Sequence, residues 1–149
     1  MAKGDPTHLK VPPHNLEAEK AVLGSIMLRP EAMYEVEDIL SPGSFYLHKH
    51  SIIFETMQEL ASRRDPIDVI ALSTRLTEKN LLEQCGGNSY LSELTNAVPS
   101  SASVKHYADI VQKKFVLRRL IRAADDIVDT AFNETKDEKM KELLVMKTK

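Results

Sequence analysis

The chain has 149 residues, of which 42% are hydrophobic and 28% charged, a balance typical of a folded domain rather than a disordered one. Twenty basic and twenty-two acidic residues leave a net charge of −2, which argues against a chain that is basic overall, as a general nucleic-acid binder would be. A single cysteine, Cys85, excludes an internal disulfide, and no apolar run is long enough for a membrane helix. We therefore expect a soluble protein of the cytoplasm without membrane contact.

The start of the chain is predicted to be an extended tail over residues 1–14, because it contains three prolines, which are incompatible with a helix. Residues 15–100 are predicted to form a small helical head, with Asn15 as the candidate N-cap of its first helix. Gly24 lies inside that helix at a cost of about 1 kcal/mol relative to Ala. Close approach of a neighbouring helix is the reason we expect for this glycine.

Apolar residues at spacings of three and four predict further helices in the head, each delimited by a Pro or Gly turn. These helices cover residues 30–40, 48–63, a segment that begins after the candidate N-cap Asp68, and 89–97. No stretch alternates with period two, so the fold class is all-α. Their apolar positions predict the head core: Leu16, Val22, Leu23, Ile26, Phe45, Ile53, Phe54, Met57, Leu72, Leu91, Leu94, Val104, Tyr107 and Val111.

The strongest helical pattern spans residues 103–132, which contain neither Pro nor Gly. Its apolar face changes sides near Lys113 and Lys114, although a straight helix against one core should keep one buried face. We infer that the first half packs on the head and the second half on another body. The second-half apolar residues are Val116, Leu117, Leu120, Ile121, Ala124, Ile127, Val128, Ala131 and Phe132.

A shorter helix is predicted over residues 136–146, so residues 101–149 comprise the long helix and the start of a second hairpin arm. The predicted architecture is a small helical head followed by a projecting helical hairpin. The second arm is too short to cover the broad apolar face of the first. Because an exposed strip of that length is a liability on a monomer, we expect a second copy of the chain to cover it.

Catalytic chemistry has little support in the sequence. No glycine-rich phosphate loop or dinucleotide fingerprint is present, so no catalytic or cofactor-binding residues are predicted. His48 and His50 form a pair, but a metal needs three or four ligands, and capping or packing roles are favoured over a metal site. Cys85 is interpreted as a structural thiol, and carboxylates such as Glu17 and Glu19 as solvated helix faces.

Basic residues concentrate between 113 and 122, but they scatter around the helix instead of forming one stripe. An ion-paired surface is the favoured interpretation, because aspartates follow one turn later. Arg118, Arg119 and Arg122 are retained as candidates for polar contacts with a partner. The alternative function is a small helical nucleic-acid-binding module that uses residues 113–122 on phosphate, which would make binding strongly salt-dependent.

Several motifs carry a family resemblance. Residues 11–27 read VPPHNLEAEKAVLGSIM and are similar to the P-P-x-x-x-E-A-E-x-x-V-L-G opening of the N-terminal domain of the bacterial replicative DNA helicase DnaB. Further motifs match in order and spacing, and the resemblance covers about residues 11–133. They are Phe45-Tyr46, His50 with Ile53-Phe54, Pro66-Ile67-Asp68, Gly86-Gly87 with Tyr90-Leu91, Val98-Pro99-Ser100, YADIV at 107–111 and LRRL at 117–120.

The resemblance implies a non-catalytic assembly and docking domain. In the family, a helical head and hairpin pair into dimers, and three dimers form the collar of a hexameric ring around single-stranded DNA. The implied partners are the chain itself, primase and, in some bacteria, a helicase loader. ATP and Mg²⁺ belong to the family's motor domain, so no cofactor is expected in this chain, and single-stranded DNA would be met only through the complete ring.

Two departures from the family pattern matter. Ser44 stands where the family has an acidic residue before Phe-Tyr, which could alter the capping of that turn. The motor domain with its nucleotide-binding loop is absent from the 149 residues, so we expect either an excised fragment or a chain that ends early. A free-standing inhibitor or adaptor that pairs with an intact helicase is a further interpretation that the sequence leaves open.

Overall fold

The computed structural model describes residues 10–99, 103–133 and 137–148, and these ranges contain helices and turns but no strands, as the all-α prediction requires. The tail before residue 10 and the serine-rich joint at 100–102 lie outside the described residues. Two 3₁₀ helices cover Pro42–Ser44 and Glu83–Cys85. The α-helices are α1 (Leu16–Leu28), α2 (Ala32–Val36), α3 (His48–Ser62), α4 (Val69–Glu78), α5 (Gly87–Asn96), α6 (Val104–Phe132) and α7 (Asp137–Thr148).

Side-chain caps begin two of the helices at the positions predicted from the sequence. The Oδ1 atom of Asn15 accepts a hydrogen bond from the backbone N–H of Ala18 at 3.0 Å, at the start of α1. The Oδ1 atom of Asp68 accepts one from the N–H of Ala71 at 2.8 Å, at the start of α4. Each cap satisfies a donor that has no partner within its helix, which fixes where the helix begins.

Helix α1 packs closely on α5, and Gly24 lies where the two helices meet. A Cβ added to Gly24 would lie 2.9 Å from the carbonyl carbon of Leu94 and 2.5 Å from Cγ2 of Val98. Backbone atoms cannot move away from such an approach without shifting a helix. The prediction that a neighbouring helix approaches this glycine is therefore confirmed.

The head core is formed by α1 to α5 together with the first half of α6. Tyr107 is partly buried and packs against this core. Leu16, a predicted core residue, is only half-buried and lies outside the core, because it begins α1, where a helix has neighbours on fewer sides. The other predicted core residues are buried: Val22, Leu23, Ile26, Phe45, Ile53, Phe54, Met57, Leu72, Leu91, Leu94, Val104 and Val111.

Several helix boundaries differ from the prediction, most clearly the end of α2 and the start of α5. Helix α2 ends at Val36, four residues before the predicted end, and the chain continues in a turn in which the N–H of Ile39 donates to the carbonyl of Val36 at 2.9 Å. Leu40 is still buried, so the periodicity marks a buried position that the helix itself does not reach. Helix α5 begins at Gly87, earlier than the predicted 89, after Gly86 adopts a left-handed φ of 92°.

The chain forms two compact units. One unit runs from His14 to Phe115, and the other contains the described residues before His14 and from Val116 onward. The division falls within α6, next to Lys113 and Lys114, where the apolar face of the helix changes sides in the sequence. The first part of α6 belongs to the head unit, so this unit extends beyond the segment boundary predicted after residue 100.

Candidate assembly surface

The second half of α6 carries a strip of nine apolar side chains, and eight of the nine are exposed. These are the residues predicted from the sequence as the self-association surface. Leu120 is 61% exposed, Val128 51% and Phe132 85%. The other exposed members are Val116, Leu117, Ile121, Ala124 and Ala131, whereas Ile127 is half-buried.

Helix α7 covers a small part of this strip. Ile127, Thr130 and Ala131 of α6 line a small apolar cleft together with Leu143 and Leu144 of α7. The Nζ atom of Lys147 lies 3.7 Å from Oδ2 of Asp126, a second contact between the two helices. Most of the strip remains exposed beside this contact, which agrees with the expectation that the second arm cannot cover the face of the first alone.

The arginines of the same region differ in how far they are exposed. The Nη1 atom of Arg118 donates a hydrogen bond to the backbone carbonyl of Pro13 at 2.8 Å, and Arg118 is half-buried. Arg119 and Arg122 are exposed. The guanidinium of Arg118 thus holds the end of the N-terminal segment, while Arg119 and Arg122 face solvent.

A buried polar network lies in the head. It includes the carboxylate of Glu19, which the sequence pattern predicts to be solvated. Glu19 is 1% exposed and His50 is fully buried. Oε1 of Glu19 lies 2.7 Å from Nδ1 of His50, and Nε2 of His50 lies 2.5 Å from the hydroxyl of Tyr90. Oε2 of Glu19 accepts the backbone N–H of Tyr46 at 2.7 Å. The assignment of Glu19 to a solvated face is therefore wrong, because its carboxylate is the centre of this network.

The direction of each hydrogen bond in the network follows from the carboxylate and the phenol together. Burial, together with the carboxylates of Glu93 and Glu19, raises the pKa of Tyr90 to about 12, so the hydroxyl is protonated at neutral pH. The carboxylate of Glu19 can only accept, so Nδ1 of His50 carries a proton and donates to it. In this tautomer Nε2 is an acceptor, and the Tyr90 hydroxyl donates to it. His50 is thus a packing residue that links three helices.

The turn before α3 is anchored by aromatic rings. Phe45 is buried, with its ring centroid 5.1 Å from that of Phe54, and Tyr46 stacks on His14 at 4.2 Å. Ser44 is buried, and its Oγ accepts the N–H of Ser41 at 3.0 Å. The serine therefore caps the turn from within.

Cys85 is fully buried and unpaired. Burial raises the pKa of its thiol, while the ammonium groups of Lys79 and Lys49 act in the opposite direction. The described residues contain no group of three or more His, Cys, Asp or Glu side chains arranged to hold a metal ion. Over the same ranges of the chain, no helix is both long enough and apolar enough to cross a membrane.

The fold defines an all-helical module whose most exposed apolar surface lies on one long helix. Residues 11–113 match the family model of the DnaB-like helicase N terminal domain. The chain belongs to this family, and the two relatives described next are replicative DNA helicases.

The replicative DNA helicase DnaC of Bacillus subtilis is 40% identical over 91% of the chain, and DnaB of Geobacillus stearothermophilus is 45% identical over 83%. The chain spans less than a third of the length of these relatives, 29% and 27% respectively.

Two solved structures are similar to most of this chain. The N-terminal domain of DnaB helicase from Mycobacterium tuberculosis superimposes with a TM-score of 0.84 at 31% identity, and the match covers 91% of this chain and 99% of that one. A DnaB-like replicative helicase, described together with its interactions with primase, matches with a TM-score of 0.72 at 35% identity. That match covers 87% of this chain and 31% of the helicase.

Proposed function

We propose that this chain is a non-catalytic assembly and docking domain of a replicative DNA helicase, and that two copies associate through the second half of α6. The observation that carries the proposal is the exposed apolar strip from Val116 to Phe132, which α7 covers only in part. Contiguous apolar surface on this scale is rare on soluble monomers and is typical of an interface. A two-fold dimer would place the strip of one copy against the same strip of its partner.

Further association of such dimers into a ring collar, with docking of primase and, in some bacteria, a loader, is the function we assign to the assembled module. Support for primase comes from the DnaB-like helicase at 35% identity, which was described with its interactions with primase. Exposed Arg119 and Arg122 are the polar residues we propose for contact with a partner. We assign catalysis, the binding of ATP and Mg²⁺, and contact with single-stranded DNA to the complete helicase, which we place in the cytoplasm. We assign no cofactor to this chain.

Sedimentation equilibrium of wild type and Ile121→Glu tests the proposed dimer. Ile121 is 47% exposed, so the substitution leaves the head core intact but places a charge in the apolar interface. We expect a dimer or larger species for wild type at tens of micromolar. For the variant we expect a monomer with unchanged helical circular dichroism.

A matched control is Lys105→Glu, which places the same side chain at an exposed position in the first half of α6, outside the strip. We expect this variant to associate like wild type. A wild-type monomer at tens of micromolar, or equal dissociation by both variants, would contradict the proposal. If wild type associates, titration with purified cognate primase then tests docking separately from dimerisation.

The alternative nucleic-acid function has weaker support, because Arg118 already donates to the carbonyl of Pro13. It requires binding of single-stranded DNA by the isolated chain at low salt, with an affinity that falls steeply as salt is added. A flat titration would remove this alternative without affecting the dimer proposal.

A further inference from the structure

An open cleft of about 410 Å³ lies on the head unit, between the start of α2 and the segment that follows α3. Its floor contains the buried side chains of Met33 and Ile67, and Tyr34, which is 66% exposed, lines the same cleft. Glu31 and Arg64 contribute the two charged side chains, and Pro30 and Ala61 complete the lining. The cleft thus combines an apolar floor, an exposed aromatic ring and an arginine.

Arg64 occupies a backbone position that disfavours it. It has a φ of 60°, in the left-handed region that suits glycine or asparagine. The hydrogen bonds of a Schellman motif end α3 here: the N–H of Arg64 donates to the carbonyl of Ala61 at 3.1 Å, and the N–H of Asp65 to that of Leu60 at 2.9 Å. An arginine at this position costs stability that a glycine would recover.

The end of α4 provides an internal comparison. The N–H of Asn80 donates to the carbonyl of Thr77 at 3.0 Å and that of Leu81 to the carbonyl of Leu76 at 2.8 Å, the same motif with a φ of 58° at Asn80. Asparagine tolerates this conformation, and Asn80 does not line the cleft. Of the two helix ends, the one that borders the cleft therefore has arginine, the residue that adopts a left-handed backbone less readily.

The guanidinium of Arg64 is exposed and makes no ion pair or hydrogen bond within the described part of the chain. Arginine matches a carboxylate with two parallel hydrogen bonds, which makes it well suited to recognise an acidic side chain. The exposed ring of Tyr34 offers apolar surface to a neighbouring residue of the same ligand, above the buried side chains of Met33 and Ile67. Glu31, the second charged residue of the lining, is exposed and would repel a carboxylate, so the acidic side chain of the ligand is expected on the Arg64 side of the cleft.

We propose that this cleft binds a short segment of a partner protein in which apolar side chains are flanked by acidic residues, with Arg64 pairing with a carboxylate. The site differs from the strip on α6 and does not depend on self-association. Partner binding and stability are therefore opposed at this position, because Arg64 binds the partner but destabilises the end of α3.

Fluorescence anisotropy with a labelled peptide of sequence SDLFDS, and with its uncharged counterpart SNLFNS, tests the proposal. For a peptide of this size we expect a dissociation constant on the order of 100 μM for SDLFDS and at least fivefold weaker binding of SNLFNS. Arg64→Gly should lower the affinity for SDLFDS at least fivefold and raise the melting temperature of the protein. A residue with a merely structural role would not combine these two effects.

Asn80→Gly is the matched control, because it makes the same change at the end of α4 without altering the cleft. We expect it to leave peptide binding unchanged. The proposal is overturned if SDLFDS fails to bind at about 1 mM, if both peptides bind equally, or if Arg64→Gly binds like wild type. It is also overturned if Arg64→Gly changes the association state in sedimentation, because the cleft would then be a contact between copies of this chain.

Discussion

At the residue scale, a carboxylate, an imidazole and a phenol hold three helices of the head together. Glu19 lies on α1, His50 on α3 and Tyr90 on α5, and the same carboxylate accepts the N–H of Tyr46 in the turn before α3. No buried side-chain polar atom among the described residues lacks a hydrogen-bond partner. A network that is fully satisfied in this way fixes the relative position of the helices that supply it.

Replacing Glu19 with Gln tests the network with an almost isosteric side chain. An amide has one acceptor oxygen, whereas the carboxylate accepts a hydrogen bond from Nδ1 of His50 on one oxygen and from the backbone N–H of Tyr46 on the other. The amide NH₂ would therefore face a donor, and we expect a loss of about 2 kcal/mol in the free energy of unfolding. Urea denaturation measures this loss. Glu17→Gln, at an exposed position of the same helix, should change stability by less than about 0.5 kcal/mol.

The sequence could not identify this network, because its members are far apart in the chain. His50 follows Glu19 by 31 positions, and Tyr90 follows His50 by 40. An acidic residue in the first turn of a helix is typical of a favourable helix-dipole interaction at the surface, so the pattern alone assigns Glu19 to solvent. Only the tertiary packing of α1 on the turn before α3 shows that one carboxylate oxygen accepts a backbone N–H.

At the scale of helices, the packing of α1 on α5 depends on the absence of a side chain at Gly24. Alanine would favour the helix by about 1 kcal/mol, but its Cβ would collide with the backbone of Leu94 and with Val98. Because overpacking costs more than this gain, we expect Gly24→Ala to lower the free energy of unfolding by about 2 kcal/mol. Chemical denaturation gives the value, and a neutral or stabilising substitution would contradict the close approach of the two helices.

Gly43→Ala is the control for that substitution. The nearest atom to a Cβ at Gly43 is Oγ of Ser41, at 3.9 Å, so the added methyl group meets open space. We expect this variant to be neutral or slightly stabilising, since alanine restricts the unfolded chain more than glycine does.

Helices differ in how well their pattern predicts them. The cap at Asn15 and the uninterrupted spacing of α6 identify both elements, because capping and periodicity are local properties. The pattern places the end of α2 too late, since Leu40 continues the apolar spacing and is buried although the chain there forms a turn. Periodicity records burial, and burial extends beyond the helix where a turn packs on the same core.

At the scale of the whole molecule, association and stability should be linked. If the apolar strip is buried only in a dimer, the folded state is favoured by mass action as the protein concentration rises. Between about 2 and 200 μM we expect the melting temperature of wild type to rise by about 5 °C or more. Ile121→Glu should melt at the same temperature throughout this range. A wild-type melting temperature that does not depend on concentration would contradict the linkage.

The apolar strip on α6 could be predicted from the sequence, because a helix that changes its apolar face must serve two surfaces. The molecule that covers the strip could not be predicted, because the contacting residues belong to another molecule and leave no pattern in this sequence. The cleft beside Arg64 escapes prediction for a related reason. Its walls come from residues 30–34 and 61–67, and the sequence shows neither their proximity nor the left-handed backbone at Arg64.

Because Cys85 is buried, a cysteine introduced elsewhere in the chain can be labelled selectively. The thiolate is the form that reacts with maleimide dyes, and a thiol that is fully buried, with its pKa raised by burial, presents neither the ion nor an accessible sulfur. Since Cys85 is the sole cysteine, a second one introduced at Asp125, which is exposed and not part of the apolar strip, would react with the dye while Cys85 remains unlabelled. Energy transfer between donor- and acceptor-labelled copies would then report how two molecules meet.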